Sequence, residues 1–417
     1  MNIHHYYRKF LEKSRAFFSS VRIPGKWINI TLFAVFIMVI ILIVISRSLG
    51  VGPGKSRHID ISISPQFENL FGKDLANALI NEFEKQRPDL RIKKSNEGAS
   101  LLFFDDSEFG RLRSNSELLS LGPYIDTKTK EEELAAEQDV SNTQWALPLL
   151  SFMDILFYNI DILQSVNFDR PPKTHAEFLA AAKAVAHTGE GQNAVYSFAL
   201  DLADPQGPRR NLYPWVWAAG GEIYTLRDSA SASNNAPVLS RTAVDTIAFF
   251  AQFHREGLLS PGQKTSAQRL EEFAKGKIAM ITGSTRDIAF LQRGANNINF
   301  GITAIPGTAQ GKNRLGLFRI YVGISADCPL PDQAWTFISF ITGKSQILAE
   351  ALSAIPGSLP AVFPGEYIVK NPLYSKAWDI FEASEIVEYR VDYPSEEEIE
   401  RLVRDKIREW GGLGNRE

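Results

Sequence analysis

Cysteine is almost missing from this chain. Cys328 is the only one in 417 residues, so no disulfide can form within the molecule. Histidine is sparse as well. His4 and His5 precede a long apolar run, His58 follows it, and His175, His187 and His254 fall on predicted helix surfaces. There is no H-E-x-x-H and no paired Cys/His spacing, which argues against a zinc site. A G-x-S-x-G nucleophile elbow is also lacking, and so are a dinucleotide fingerprint and any other cofactor motif. The stretch GVGPGKS (50–56) looks like a phosphate loop but fails the test of spacing and context. Five residues before Gly54 stands Leu49 rather than glycine, Pro53 removes an amide, and alternating Ile59, Ile61 and Ile63 follow where a helix should begin. The stretch reads instead as a flexible connector.

What the connector joins is plain from its flanks. Ile28–Ser46 is an uncharged apolar run, and a helix of that length rises about 28 Å, close to the hydrocarbon thickness of a bilayer. Residues 1–27 carry Arg8, Lys9, Lys13, Arg15, Arg22 and Lys26 against Glu12 alone, a balance of +5. That asymmetry predicts a cytoplasmic N-terminus and an exported remainder. A cleaved signal peptide is the alternative; the length of the run and of its leader favours an uncleaved anchor. No cysteine stands directly after the run, so a lipid attached there is excluded. The chain's net charge is −3, leaving −8 beyond residue 27, and an acidic exported part argues against a nucleic-acid partner.

About 360 residues follow the apolar run, enough for two domains with full cores. Their pattern alternates strand and helix. A strand at Ile59–Ile63 leads into a helix carrying Leu75, Leu79 and Phe83 on one face, stopped by Pro88. LLFFDD (101–106) reads as a buried strand ending in two carboxylates, with a helix bearing Leu112, Leu118 and Leu119 after it. Pro148 breaks the next segment, leaving a strand at Ile155–Tyr158. Thr174 and Glu177 mark a capping box, with Gly189 just past that helix. Further strands are read at 195–200, 277–282, 299–307 and 320–325, and a polar loop or hairpin tip at 225–240. Repeated βα units imply α/β layers around a largely parallel sheet, and such folds bind ligands at the carboxyl ends of strands.

Three groups fall at such ends. Asp105 and Asp106 follow LLFF; the alternative is a solvated loop or helix cap. Phe152 and Asp154 lie beside Pro148. Trp215, Trp217, Gly220, Gly221 and Glu222 form WVWAAGGEIY; the alternative is core packing. Read as alternating, the two tryptophans share a side, and aromatic faces suit sugar rings while carboxylates take hydroxyls. A glycosidase pair cannot be assigned to adjacent Asp105 and Asp106, so no catalytic residue is expected.

Taken in order, FEKQRPDLRI, FFDDSEFGRL with LLSLGPYID, ALPLLSFMDILFYNIDIL, PPKTHAEFLAAAKAV, WVWAAGGEIY, FAKGKIAMITG, FGITAIPG and AWTFISFITGKSQ resemble the extracellular solute-binding proteins of sugar ABC importers, the maltose-binding-protein-like group. The resemblance covers about residues 58–380 and implies a two-lobed periplasmic-binding-protein type 2 fold with hinge crossings, here preceded by one transmembrane helix. It implies crossings near Pro148–Leu150, Ala304–Gly307 and Thr342–Gln346. The expected organisation is a basic segment (1–27), an anchor (28–46), a linker (47–57), a first lobe (58–148 plus 305–343) and a second lobe (149–304 plus 344–417). Asp105, Asp106, Phe152, Asp154, Trp215 and Trp217 would line the cleft, with the Gly220-Gly221 turn behind; Trp145 and Glu222 complete the set. Two departures add candidates. Ser284-Thr285-Arg286 stands where relatives often have Pro-Trp, and Phe318-Arg319 where they often have Gly-Gly. Arg286 and Arg319 therefore join the ligand-binding set, making an acidic or phosphorylated sugar thinkable beside structural ion pairs. The implied function is capture of a sugar-like solute outside the cytoplasmic membrane and delivery to an ABC permease, without cofactor, metal or catalysis. The alternative is a binding fold turned to sensing or protein contact at the membrane.

Overall fold

The computed structural model describes residues 58–125, 145–186, 194–200, 207–226, 236–262, 264–293, 298–308, 313–344, 355–356, 372–389 and 396–409. Among them no helix is long and apolar enough to cross a membrane. The apolar run at 28–46, the linker and its GVGPGKS stretch lie outside the described residues.

The fold begins with β1 (Ile59–Ile63), α1 (Gln66–Phe71) and α2 (Lys73–Gln86). Gly72 between the helices takes φ 77°, a left-handed value that glycine reaches without a Cβ clash. Next come β2 (Leu90–Lys94), β3 (Leu101–Asp105) and α3 (Asp106–Ser114). β1 and β3 pair in parallel. β4 (Leu147–Asn159) then runs for 13 residues, about 40 Å at strand rise. It is buried almost throughout, because sheet neighbours and helices cover both of its faces.

β4 delivers the chain to a second α/β layer. This contains α4 (Ile160–Ser165), α5 (His175–Val185), β5 (Tyr196–Ala199), α6 (Gly207–Asn211) and α7 (Tyr213–Ala218). A hairpin of β6 (Tyr224–Leu226) and β7 (Pro237–Leu239) follows, as the polar stretch at 225–240 predicts. Then come α8 (Arg241–Arg255), α9 (Ser266–Ala274), β8 (Ile278–Ser284), α10 (Arg286–Arg293) and β9 (Phe300–Thr303). The helices start where side chains can satisfy their first amides: Thr174 caps α5, Ser240 caps α8, and Thr265 with Gln268 forms a capping box on α9. β10 (Arg314–Ile324) leads back, followed by α11 (Pro331–Thr342), β11 (Ile355–Pro356), α12 (Pro372–Glu382), β12 (Glu385–Glu388) and α13 (Glu396–Glu409).

Among the described residues the main sheet has the order β2-β1-β3-β10-β4-β8-β5, with β9 and β11 also on β4 and β12 on β10. Two cores share it. One gathers Phe104, Phe109, Leu112, Leu118, Ala146 and Tyr321. The other gathers Met153, Ile155, Phe157, Ala199, Phe273 and Ile281, together with Leu315 and Leu317. The chain therefore passes between lobes twice within strands, in β4 between Ala146 and Met153 and in β10 between Leu317 and Tyr321. The residues at the passage are paired: Leu150 with Ile320, Ser151 with Arg319, Phe152 with Phe318.

Several sequence expectations are corrected here. Pro148 does not break the strand. Its missing N–H is accommodated by a bulge at Leu149, where Leu150 pairs with Ile320 but Pro148 with the next residue, Tyr321. Ala304–Gly307 does not cross between lobes. Gly307 bridges Thr174 and accepts from His175 N at 3.0 Å, and a Cβ on it would collide with the Ala218 carbonyl, so the segment stays with the second lobe. The return falls on β10, which begins six residues before the strand expected at 320–325. Leu118 and Leu119 lie past α3, which ends at Ser114. Of Thr342–Gln346, Thr342 ends α11 and residues 345–346 lie outside the described residues.

Candidate functional site

The passage between lobes carries an aromatic floor. Phe152 and Phe318 face each other across β4 and β10 and stack with centroids 5.2 Å apart at 24°. An arginine lies over each ring: the Arg210 guanidinium is 4.2 Å from the Phe318 centroid and that of Arg286 is 6.0 Å from Phe152. Arg210 sits on α6, after β5, and Arg286 opens α10, directly after β8, so both come from the carboxyl ends of second-lobe strands. Each reaches the first lobe. Arg210 pairs with Asp105 at 3.2 Å, and Arg286 donates to the carbonyl of Leu70 at 3.0 Å and, more weakly, of Asn69 at 3.5 Å.

A cavity of about 710 Å³ opens beside the two arginines, lined by Asp154, Gly207, Arg210, Ser266, Ala267, Arg269, Leu270, Ile281–Ser284, Arg286, Asp287 and Phe290. A second, of about 570 Å³, lies between residues 69–75 of the first lobe and Leu270, Arg286, Asp287, Ala289 and Phe290 of the second. The shared residues Leu270, Arg286, Asp287 and Phe290 make the two spaces adjoin. The volumes are in the range of small-molecule sites.

The acidic groups around the floor are buried and hydrogen-bonded. Asp106 accepts from the Arg319 backbone N–H and from the Tyr321 hydroxyl at 3.1 Å. Burial nevertheless pushes it up to about 7, with the charge of Asp105 adding to it, against the pull of the Arg319 amide and of the Arg209 and Arg319 charges. Asp154 is 2% exposed and accepts from the Tyr389 hydroxyl at 2.5 Å. It too is pushed up to about 7 by burial, with Tyr389, Arg210 and Arg209 pulling the other way. Burial raises Asp287 as well, although it accepts from Ser284 N at 2.8 Å. Arg286 is lowered, first by burial and then by the neighbouring charge of Arg210, with Asp287 opposing. Tyr389 fills the inner end of this arrangement. It packs edge-on against Trp217 at 4.6 Å, under the Arg209 guanidinium, and its carbonyl accepts from Arg209 at 3.1 Å.

The structure brings some sequence candidates together and separates others. Asp105, Asp154 and Arg286 meet at the cavity or its rim. Asp106 and Arg319 lie behind it as a buried brace, and Phe152 is the fully buried floor. Trp145 is elsewhere, half-buried against the first-lobe core. The tryptophans do not share a side, because WVWA is a helix and residues two apart on a helix point about 200° apart. Trp215 is fully buried among Phe178, Phe198 and Phe250, its Nε1 donating to Thr282 Oγ1 at 2.9 Å. Trp217 is buried against Tyr389 and Gly316. Neither lines the cavities. Gly220 and Gly221 form a Schellman stop: Gly220 N donates to Trp217 O and Gly221 N to Val216 O, with Gly220 at φ 83°. Glu222 is exposed and pairs with Arg314 at 2.8 Å. His175 is not on a free helix surface; it stacks on Phe249 at 4.9 Å, and burial lowers its pKa.

Arg210, Asp287, Phe290 and Tyr389 are absent from the sequence-derived set. Arg209-Arg210 could have been found, being a basic pair just beyond the carboxyl end of the strand read at 195–200. Tyr389 could not, since its partner Asp154 lies 235 residues away.

Comparison with known proteins agrees with this architecture. The family described as bacterial extracellular solute-binding protein matches residues 85–375. A Brucella abortus protein described as a binding protein is 22% identical over 202 residues, 48% of this chain; the match spans only about half of that relative (47%). Among solved structures, an ABC substrate-binding protein of Listeria monocytogenes in complex with cycloalternan aligns with TM-score 0.64 and 15% identity, over 85% of this chain and 98% of that one. UgpB of Mycobacterium tuberculosis, solved with glycerophosphocholine, aligns with TM-score 0.66 and 16% identity, over 85% and 96%. A solute-binding protein of Thermotoga lettingae bound to α-D-tagatose gives 0.65 and 18%, over 85% and 95%. These likenesses concern the fold, two α/β lobes of the substrate-binding kind. With the family matched over more than two thirds of its length, the chain belongs to the bacterial extracellular solute-binding proteins.

Proposed function

We propose that this protein is a receptor that captures a sugar-like solute between its lobes and delivers it to an ABC permease. The observation that carries the reading is the cavity beside Arg210 and Arg286 of one lobe, which reach Asp105 and the Leu70 carbonyl of the other. A solute spanning this cavity and the adjoining one, which residues 69–75 of the first lobe help to wall, would touch both lobes and favour the closed arrangement by its differential affinity. Asp105, Asp154 and Arg286 are the sequence candidates best placed to contact it, joined by Arg210. Asp106, Arg319 and Phe152 would position them. Nothing in the reading requires a catalytic step.

Ile28–Ser46 would hold the receptor at the cytoplasmic membrane with its lobes on the outer side, raising its effective concentration at the permease. The first test is a thermal-shift screen of the full chain in detergent against a broad saccharide panel. A solute at about 100 times its dissociation constant should stabilise by about 2.7 kcal/mol. No shift across the panel counts against the receptor reading. Sensing is the second reading, favoured by the withdrawal of both tryptophans from the cavity. Co-purification separates the two: permease subunits support transport, and a signalling partner supports sensing.

A further inference from the structure

We propose that the solute carries an anionic group, a phosphate or a carboxylate, held between the guanidinium groups of Arg210 and Arg286. The proposal deepens the receptor reading and rests on it. Both arginines line the same 710 Å³ cavity, and each is seated on one ring of the same Phe152–Phe318 stack. Arg286 is lowered chiefly by burial; the like charge of Arg210 adds to this, and Asp287 opposes it. An anion between the two guanidiniums turns their repulsion into attraction.

Their hydrogen bonding points the same way. Among the described residues Arg210 bonds only through Nη2, to Asp105, and Arg286 only through Nη2, to the Asn69 and Leu70 carbonyls. The Nε–H and Nη1–H donors of both guanidiniums make no hydrogen bond among the described residues. A guanidinium presents five N–H groups in a rigid fork that matches a carboxylate or phosphate. Asp105 pairs with Arg210 through one nitrogen only and leaves the rest of that fork open, while Asp154 is engaged by the Tyr389 hydroxyl and Asp287 by the Ser284 amide. Burial also favours the neutral form of Asp154 and Asp287. The wall offers little of the aromatic surface on which a neutral sugar ring stacks. Phe290 is the sole aromatic lining it among the described residues, and both nearby tryptophans are packed into the core.

Calorimetric titration of the full chain in detergent tests this with three probes: glucose 6-phosphate, glucuronate and maltose. Binding of glucose 6-phosphate or glucuronate, weakened by salt, is the expected result, and the one that binds names the anion. Arg210→Gln and Arg286→Gln should each weaken it by about 10- to 100-fold. Arg210→Lys should retain part of the affinity, and ligand-free melting curves establish that each variant is folded. Maltose bound as tightly as the charged probes, or folded Gln variants that bind like the parent, would overturn the anion proposal and leave the receptor reading standing. Failure of all three probes on the parent protein, together with an empty thermal-shift panel, would remove both.

Discussion

Asp154→Asn offers a quantitative test of the buried polar arrangement. The Asp154 carboxyl is 2% exposed, hydrogen-bonded to Tyr389 at 2.5 Å, and raised by burial to about 7. An unfolded aspartate titrates near pH 3.9, as expected for the free side chain. Between those two values the folded state keeps a proton that the unfolded state has released. The contribution of Asp154 to stability is therefore greatest in acid and falls as pH rises, by about 1.4 kcal/mol per unit and up to about 4 kcal/mol in all. Asparagine is nearly isosteric, retains an oxygen to accept from Tyr389, and does not titrate. Melting of the full chain in detergent, followed by tryptophan fluorescence from the acid limit to slight alkalinity, reads the effect. Parent and variant should be alike in acid, with the variant gaining steadily above pH 4. Asp106, also raised to about 7, remains in both proteins and gives both a residual slope of the same sign. A separation that stays constant with pH would mean that Asp154 is ionised throughout, held by Arg209 and Arg210, and would refute the reasoning.

Other substitutions probe the frame around the site. Trp215→Ala should destabilise the protein by about 3–5 kcal/mol, the range for emptying a large aromatic site, and lower its melting temperature even without solute. Gly316→Ala places a Cβ 2.6 Å from Asp154 Oδ2 and 2.9 Å from the Trp217 ring. It should cost about 1–3 kcal/mol by overpacking, measured as the shift of a denaturant midpoint at unchanged slope. Thr174→Ala removes the oxygen that accepts from Glu177 N at 3.2 Å. A loss of about 1 kcal/mol is expected in the same assay.

The parts of the fold legible in the sequence are those fixed by neighbours along the chain. The α5 start was readable from Thr174 and Glu177, although Glu177 reaches the amide of Lys173, one residue before the cap. β3 was readable as a short apolar run closed by Asp105, and α11 from its apolar face. The hairpin at 225–240 followed from its polar loop. What could not be read depended on distant partners. The first half of β10, RLGLFR, lacks alternation because it is buried on both faces, and Pro148 could stay in a strand only because β10 accepts a bulge there. The tryptophan pair was misjudged because spacing alone does not tell helix from strand in a six-residue segment, and the helix turns one ring away from the other. Asp105 and Arg286 reached the site because strand ends in layered α/β folds converge there, whereas Asp154 lies in the middle of β4, just past the passage between lobes. Arg210 and Tyr389 completed it from segments whose role is visible only after folding.

The two strands that carry the chain between lobes are bonded to each other through the passage itself, rung by rung from Leu150–Ile320 to Phe152–Phe318. A joint of this kind resembles a two-ply leaf spring more than a pair of loose tethers. It can twist and flex, as sheets do, but one ply cannot slide along the other without breaking several rungs at once and turning buried side chains to the wrong face. Through these two strands the lobes resist sliding past one another, with Phe152 and Phe318 riding on the rungs. On the receptor reading proposed above, a solute that closes the lobes would have no slack chain to order within these two strands, so more of its contact energy would be left to show as affinity.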